Sequence, residues 1–279
     1  MLTSELIDDL IKIAIREDIG HGDITSNIID DNKKSIFNFM AKDKFVFCGS
    51  LIAQKVFKEI DVSLEVEFDI DDGDIIEKGQ ILGRVKGRTV SILKGERTAL
   101  NFIQHLSGIA TNTQKFVKKL NNDKIKILDT RKTTPGHRII QKYAVKIGGG
   151  SNHRFGLYDG VMLKDNHIDA AGGIKQAVEK VRYNIPSTIK IEVETRSLKE
   201  VKEAVEAGAD IIMLDNFDLA DIEKACEIIN KKAKIEISGG VSLNNICNYS
   251  KFDIDYISIG ALTHQAQSVD ISLKFGGNI

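Results

Sequence analysis

Six apolar stretches after residue 124 of this 279-residue chain run into polar residues or glycine. Ile125–Asp129 is followed by Thr130-Arg131-Lys132-Thr133-Thr134, and Gly160–Leu163 by Lys164-Asp165-Asn166-His167. Thr188–Val193 carries Glu192 and leads to Glu194-Thr195-Arg196. Asp210–Leu214 meets Asp215-Asn216, Lys234–Ile237 meets Ser238-Gly239-Gly240, and Asp255–Ile259 meets Gly260-Ala261. Two kinds of chemistry are present in this set. Arg131, Lys132, Arg154 and Lys164 form a cationic group joined by His153, and guanidinium forks match carboxylate or phosphate oxygens in bidentate pairs. Glu194 and Asp215 could hold a hard cation such as Mg²⁺ beside a phosphate substrate. The plainer alternative is that they only balance the cations. Arginine is scarce, nine against 30 lysines, so Arg97, Arg131, Arg138 and Arg154 near these segments each need a reason. For some of them, Arg138 above all, structural pairing with an acid would be reason enough.

Glycine offers a further feature. Ser238-Gly239-Gly240 falls after an apolar run and before a short helical segment at 242–249, where backbone N–H groups would attract a phosphate. Gly148-Gly149-Gly150 before Ser151-Asn152-His153 could cradle an anion too, though glycine runs are common turns. The stretch from Gly87 to Gly95 lacks P-loop spacing. His21 and His105 read as ordinary surface or helix residues. No His and Cys share zinc spacing, and no nucleophile elbow or triad stands out, which argues against covalent Ser or Cys catalysis.

The elements that must position these residues divide the chain in two. In the first region, residues 4–17 place Leu6, Leu10, Ile13 and Ile15 at helical spacing. A loop follows at Gly20–Ser26, then a strand around Ile36–Met40, a short one at Phe45–Phe47 and a helix over 50–59. Val62, Leu64, Val66 and Phe68 alternate as a half-buried strand, and 71–90 reads as a small meander with turns at Asp72-Gly73 and Lys78-Gly79. Leu93–Leu120 has helical period, with Gly95 and Gly108 as possible breaks. After residue 124 strand and helix alternate. The last four strands start at 188, 210, 234 and 255, steps of 22, 24 and 21 residues. That is the length of a βα unit and implies parallel strands with crossover helices. Either an open doubly wound sheet or a small or incomplete barrel fits. The lack of Gly-x-Gly-x-x-Gly after the first strand tilts the choice to the barrel. In both architectures the ligand lies beyond the carboxyl ends of the strands, where the polar residues are.

Composition sets the outer limits. Hydrophobic residues are 42%, charged residues 28%, and the formal net charge is -1. That excludes a disordered chain and a general polyanion binder, so no nucleic acid is expected. Cys48, Cys226 and Cys247 have no staple or metal spacing, no signal peptide opens the chain and no apolar run is long enough to span a bilayer. A cytoplasmic protein without membrane contact is the simplest reading.

Several segments resemble one family. Gly22-Asp23-Ile24-Thr25-Ser26, Glu96-Arg97-Thr98-Ala99-Leu100-Asn101, Asp129-Thr130-Arg131-Lys132-Thr133, Gly148–Arg154, Leu163–His167, Glu192–Thr195, Asp215-Asn216 and Ser238-Gly239-Gly240 look like the quinolinate phosphoribosyltransferases. The resemblance runs in order over roughly residues 10–270. It implies an α/β protein with an N-terminal α/β sandwich domain at 1–110 and an incomplete α/β barrel of six to seven parallel strands at 111–269. The tail 270–279 would return to the first domain. It also implies transfer of the phosphoribosyl group of 5-phosphoribosyl 1-pyrophosphate to quinolinate with decarboxylation. Nicotinate mononucleotide, pyrophosphate and CO₂ are the products, made on the way to NAD with Mg²⁺ as cofactor. By the same resemblance Arg131, His153, Arg154 and Lys164 would hold the dicarboxylate, with Arg97 from the neighbouring subunit of a homodimer or larger homo-oligomer. Lys132 would sit near the phosphoribosyl pyrophosphate, Glu194 and Asp215 would bind the metal and ribose end, and Ser238, Gly239, Gly240 and Gly260 would cradle the 5′-phosphate. Lys132, Lys164, Glu194 and Asp215 are the expected catalytic residues. A sister phosphoribosyltransferase for another small acid, a non-catalytic anion-binding module and a structural interaction protein are the alternatives. The acids Glu194 and Asp215 speak against a pure anion trap.

Overall fold

The computed structural model describes residues 4–279. In chain order the elements are α1 (Ser4–Ile19), β1 (Lys34–Ala41), β2 (Phe45–Val46), α2 (Ser50–Ile60), β3 (Glu65–Phe68), β4 (Ile75–Ile76), β5 (Ile81–Arg88) and α3 (Thr89–Leu120). Then come β6 (Lys126–Leu128), α4 (Arg138–Ile147), β7 (Val161–Leu163), α5 (Asp165–Ala171), α6 (Ile174–Asn184), β8 (Ile191–Thr195), α7 (Leu198–Glu206) and β9 (Ile211–Asp215). The chain finishes with α8 (Leu219–Ile229), β10 (Lys234–Ser238), β11 (Tyr256–Ser258), α9 (Ala261–His264) and β12 (Ile271–Asn278). Two compact units result. The first takes the described chain up to Gln114 with Thr133–Gly149 and Leu262–Ile279; the second takes Lys115–Lys132 and Gly150–Ala261.

The first unit is built on an antiparallel sheet of order β12-β1-β5-β3. Strand β1 alternates buried and half-buried residues along its length, so Phe37, Phe39 and Ala41 face the core. Phe39 stacks on Phe68 at 5.0 Å and meets Phe57 edge-on at 6.1 Å, while Phe47 lies 5.3 Å from Phe68. Each buried phenyl ring contributes about 1.5–3 kcal/mol through its area alone. Helix α2 buries Ile52, Ala53, Val56 and Phe57 against this cluster's side of the unit. Its first amides, Gly49 and Ser50, donate to the Asp72 carboxylate at 2.9 and 3.0 Å, a cap supplied from across a loop.

Three expectations need correction here. Helix α1 turns Ile7 and Ile11 inward, whereas Leu6 and Ile13 are 68% and 54% exposed; the helix has two apolar stripes and the i, i+4 pair is the one that packs. The strand expected from Val62 starts at Glu65, because Asp61 accepts from the Ser63 amide and makes a turn. Helix α3 is unbroken for 32 residues. Its glycines serve packing: a Cβ at Gly95 would come within 2.8 Å of the Phe57 ring, and one at Gly108 would overlap the carbonyl of Gln267. The loss in helix propensity, about 1 kcal/mol per glycine, is accepted for close approach.

The second unit is a six-stranded sheet, order β6-β11-β10-β9-β8-β7, parallel throughout. Strands β7 to β11 follow one another in sequence and in space, and β6 closes on β11 instead of β7. A doubly wound sheet would reverse its order in the middle. This order belongs to a barrel with one seam, between β6 and β7, left unpaired. A short strap lies along the free edge of β6, where the Ser151 amide donates to Ile127 at 2.8 Å and the Asp129 amide to Ser151 at 3.1 Å. Outward-facing Val193, Ile212, Leu214, Ile235, Ile237 and Ile257 are buried, which is the apolar support of the unit. Strands β6, β7 and β11 are only three residues each, and β8 starts at Ile191 because Pro186 to Ile189 form a turn closed by a 3.0 Å hydrogen bond. No helix among the described residues is long and apolar enough to cross a membrane.

Candidate active site

The parallel order brings the six strand ends to one rim of the second unit. Side chains two apart on a strand share a face, so Glu192 and Glu194 on β8 point the same way, as do Glu236 and Ser238 on β10. Across the ladder Ser238 pairs with Asp215 and Glu194 with Met213. Lys164, the residue after β7, sets its Nζ 2.7 Å from Glu194 Oε2. Asp215 Oδ2 accepts from Asn216 Nδ2 at 2.9 Å. Arg131 and Lys132 follow β6 and are exposed, with the turn held by the Lys132 amide on Thr130 Oγ1 at 3.0 Å. Gly260 follows β11 in the same way.

Gly239 and Gly240 have φ of +88° and +62°. A Cβ at Gly239 would overlap the Asn216 side chain, so glycine is demanded there by both the backbone and the neighbour. The helical segment expected at 242–249 is reduced to a 3₁₀ turn at Ile246–Tyr249. Any phosphate at Ser238-Gly239-Gly240 would thus be met by loop amides and the Ser238 hydroxyl, not by a helix start. The other glycine run does something else: Gly148 and Gly149 end α4, their amides donating to Ala144 and Lys146 at 3.0 Å.

Arg154 and His153 sit on the strap. Asp129, fully buried, accepts from the His153 amide at 2.9 Å and from Asn152 Nδ2 at 2.6 Å. Arg154 Nη1 donates to the Gly160 carbonyl at 2.9 Å, while its buried Nε has no hydrogen-bond partner among the described residues. Burial first, and then the charge of Arg131, pull the Arg154 guanidinium below its ordinary value. Two guanidinium groups crowded together with an unmet buried donor form a site that an anion would stabilise. The His153 ring reaches two buried acids, with Nε2 2.9 Å from Glu192 Oε2 and 3.6 Å from Glu236 Oε2. Burial, reinforced by the charge of Glu192, pushes the Glu236 carboxyl up to about 8. Below the rim, a cavity of about 440 Å³ is lined by Arg154, Glu192 and Glu236 together with Lys126, Lys190 and Tyr256.

The remaining candidates lie in the first unit. Arg97 is exposed on α3, and Arg138 Nε donates to Thr133 Oγ1 at 3.0 Å. His105 Nε2 meets the Gln141 amide at 2.8 Å, and His21 is exposed. Sequence reasoning gave no role to Glu192 and passed over Glu236. A signal existed, because each is an acid inside an apolar run, two residues before a rim residue and therefore on its face.

Cations and carboxylates at the carboxyl ends of parallel strands, above an acid-lined interior, define an α/β-barrel enzyme for a small anionic substrate. Relatedness narrows the class. Residues 23–107 match the N-terminal domain and residues 109–274 the C-terminal domain of quinolinate phosphoribosyl transferase. The chain is 46% identical to the probable nicotinate-nucleotide pyrophosphorylase [carboxylating] of Methanocaldococcus jannaschii, over 95% of each. It is 43% identical to the Bacillus subtilis protein of the same name, over 95% of this chain and 91% of that one. The crystal structure of NadC from Streptococcus pyogenes superposes with a TM-score of 0.95 at 43% identity, covering 98% of this chain and 97% of the other. The chain belongs to the quinolinate phosphoribosyltransferase family.

Proposed function

We propose that this protein is a carboxylating nicotinate-nucleotide pyrophosphorylase. It transfers the phosphoribosyl group of 5-phosphoribosyl 1-pyrophosphate to the ring nitrogen of quinolinate, with loss of pyrophosphate and CO₂. The observation that carries the reading is the division of one rim into cations, Arg131, Lys132 and Lys164, and carboxylates, Glu194 and Asp215. A substrate with two carboxylates needs the first set, and a cationic transition state at ribose needs the second.

The residues divide the work as follows. Arg131, Arg154 and Lys164 surround the dicarboxylate, and His153, with both ring nitrogens engaged by Glu192 and the Arg154 amide, stands behind Arg154; Lys132 lies toward the pyrophosphate. Ser238, Gly239, Gly240 and Gly260 receive the 5′-phosphate. The pyridine nitrogen carries no proton to lose, so its attack on the anomeric carbon needs no general base. Glu194 and Asp215 stabilise the positive charge that develops on the ribose ring. The quaternised nitrogen then lets the ring hold the electron pair left on C2 as the C2–carboxylate bond breaks and CO₂ departs, and a proton from water completes the C2–H of the product, while the arginines keep the ring in place.

Glu194 and Asp215 also suit Mg²⁺. They are hard oxygen donors on neighbouring strands, and Mg²⁺ is usually bound through one or two carboxylates plus substrate phosphates. Bound there, the ion would neutralise charge on the leaving pyrophosphate. Arg97, exposed on α3, would serve the site of a second copy in a homodimer. Free thiols at Cys48, Cys226 and Cys247 agree with a cytoplasmic enzyme.

The test is to incubate the protein with quinolinate, 5-phosphoribosyl 1-pyrophosphate and Mg²⁺. Nicotinate mononucleotide and one CO₂ per turnover are expected by mass spectrometry. Product that keeps both carboxylates, or no product, would overturn the reading.

A further inference from the structure

We infer that Glu192 and Glu236 are positioning residues that aim Arg154 by way of His153. The inference rests on the reading of Arg154 as a holder of the substrate carboxylate. His153 Nδ1 accepts from the Arg154 backbone amide at 2.7 Å. A ring nitrogen that accepts from an N–H bears no proton, so the ring proton is on Nε2. That proton points to Glu192 Oε2 at 2.9 Å, with Glu236 Oε2 at 3.6 Å behind it. A continuous line of contacts therefore runs from β8 and β10, through the imidazole, to the peptide unit that carries Arg154.

Both ends of this line are fixed. Glu192 and Glu236 are 3% and 1% exposed on strand interiors, and Ser258 hydrogen-bonds Glu236. On the other side, Asp129, the residue after β6, grips the His153 amide. The strap thus spans the unpaired seam with one hold on each wall. No neighbouring strand fixes this backbone on the β7 side, so side chains do it. The guanidinium is tethered at Nη1 and its buried Nε has no hydrogen-bond partner among the described residues, so a rotation of the Arg154 backbone would move the group that meets the ligand. Two buried acids around one histidine give direction where apolar packing would not.

The three side chains could suggest a cation site, since one ligand atom of each lies within 4.8 Å of the others. A metal would need the Nε2 lone pair, and the Arg154 amide on Nδ1 assigns that position to the proton. The arrangement is a hydrogen-bonded relay.

The experiment compares Glu192→Ala, Glu192→Gln and Glu236→Ala with the wild-type enzyme in steady-state kinetics for both substrates. It is combined with ¹⁵N NMR of the histidine rings in histidine-labelled protein. The wild-type His153 ring should show the Nε2–H tautomer. Glu192→Ala should raise the quinolinate KM by about tenfold or more, the usual scale for such supporting partners, and leave the phosphoribosyl pyrophosphate KM within about twofold. Glu192→Gln should recover most of the loss, because its amide oxygen still accepts the Nε2 proton. Glu236→Ala, which removes the second contact on the ring at 3.6 Å, should raise the quinolinate KM by a smaller factor than Glu192→Ala and leave the phosphoribosyl pyrophosphate KM within about twofold; an unchanged quinolinate KM there would remove Glu236 from the relay. An unchanged quinolinate KM in folded Glu192→Ala, equal rises for both substrates, or a wild-type ring protonated on Nδ1 would overturn the relay. Should Glu192→Ala fail to fold, Glu192→Gln and the tautomer signal still decide. Failure of the proposed activity is separate: wild-type protein that turns over no quinolinate sinks that reading, while the NMR tautomer still tests the relay.

Discussion

The same alternation rule fills the two sheets of this protein with opposite chemistry. In the first unit the inward positions of β1 are Phe37, Phe39 and Ala41, and the core is an aromatic cluster. In the second unit the inward positions of β8 and β10 are Glu192, Glu194, Glu236 and Ser238. Burying acids is costly unless partners repay the lost hydration. The second unit tolerates them because its apolar packing lies on the outer faces of the strands. The first unit has a core for stability; the second gives up part of its core to a site. Activity and stability should therefore respond to different residues.

The largest effect should come from the aromatic core. Phe39→Ala is expected to lower stability by about 3–5 kcal/mol, read as a drop in denaturation midpoint, with KM values unchanged in protein that remains folded. Arg131→Ala should do the reverse. Its quinolinate KM should rise about 30- to 100-fold, the ~2–3 kcal/mol of a charge-assisted pair, with the phosphoribosyl pyrophosphate KM and the melting temperature close to wild type. Gly239→Ala tests both at once: the overlap with Asn216 and the positive φ should cost about 1–3 kcal/mol and raise the phosphoribosyl pyrophosphate KM, measured by kinetics and calorimetry.

A smaller effect separates the acids from their surroundings. Glu236 is raised from 4.5 to about 8, so the folded state holds a proton that the unfolded state has released. Its contribution to stability is complete below about pH 4.5 and falls away as pH climbs to about 8. Glu236→Gln should flatten this decline in a melting-temperature profile between pH 5 and 8. A parallel profile for the variant would contradict the assignment. The smallest change belongs to Leu6→Ala, expected within about 0.5 kcal/mol of wild type, against about 2–5 kcal/mol for Ile7→Ala, both by chemical denaturation.

The strand ends and the parallel order were readable from sequence because both depend on local rules: apolar runs that end in polar residues, and steps of βα-unit length between them. Strand lengths were not, since β6, β7 and β11 are too short to impose a pattern of their own. The continuity of α3 was hidden for a different reason. Gly95 and Gly108 look like breakers until Phe57 and Gln267, distant in the chain, come into view. Likewise α1 carries two apolar stripes, and only the fold says which one packs. The rim residues Arg131, Lys164, Glu194 and Asp215 could be named from their positions after strands. The direction of the His153 ring could not, because it is set by Glu192 and Glu236 on two other strands.

The pairing of β12 with β1 has a consequence for biosynthesis. The two strands lie far apart in the chain, at Lys34–Ala41 and Ile271–Asn278. Translation proceeds at about 5–20 residues per second, so the edge of β1 waits on the order of ten seconds or more for its partner. The second unit's sheet, complete at Ser258, leaves the ribosome sooner. A bare strand edge invites pairing with other chains. The portion of this protein made first is thus the last to be finished, and its vulnerable interval is set by the time needed to synthesise everything in between.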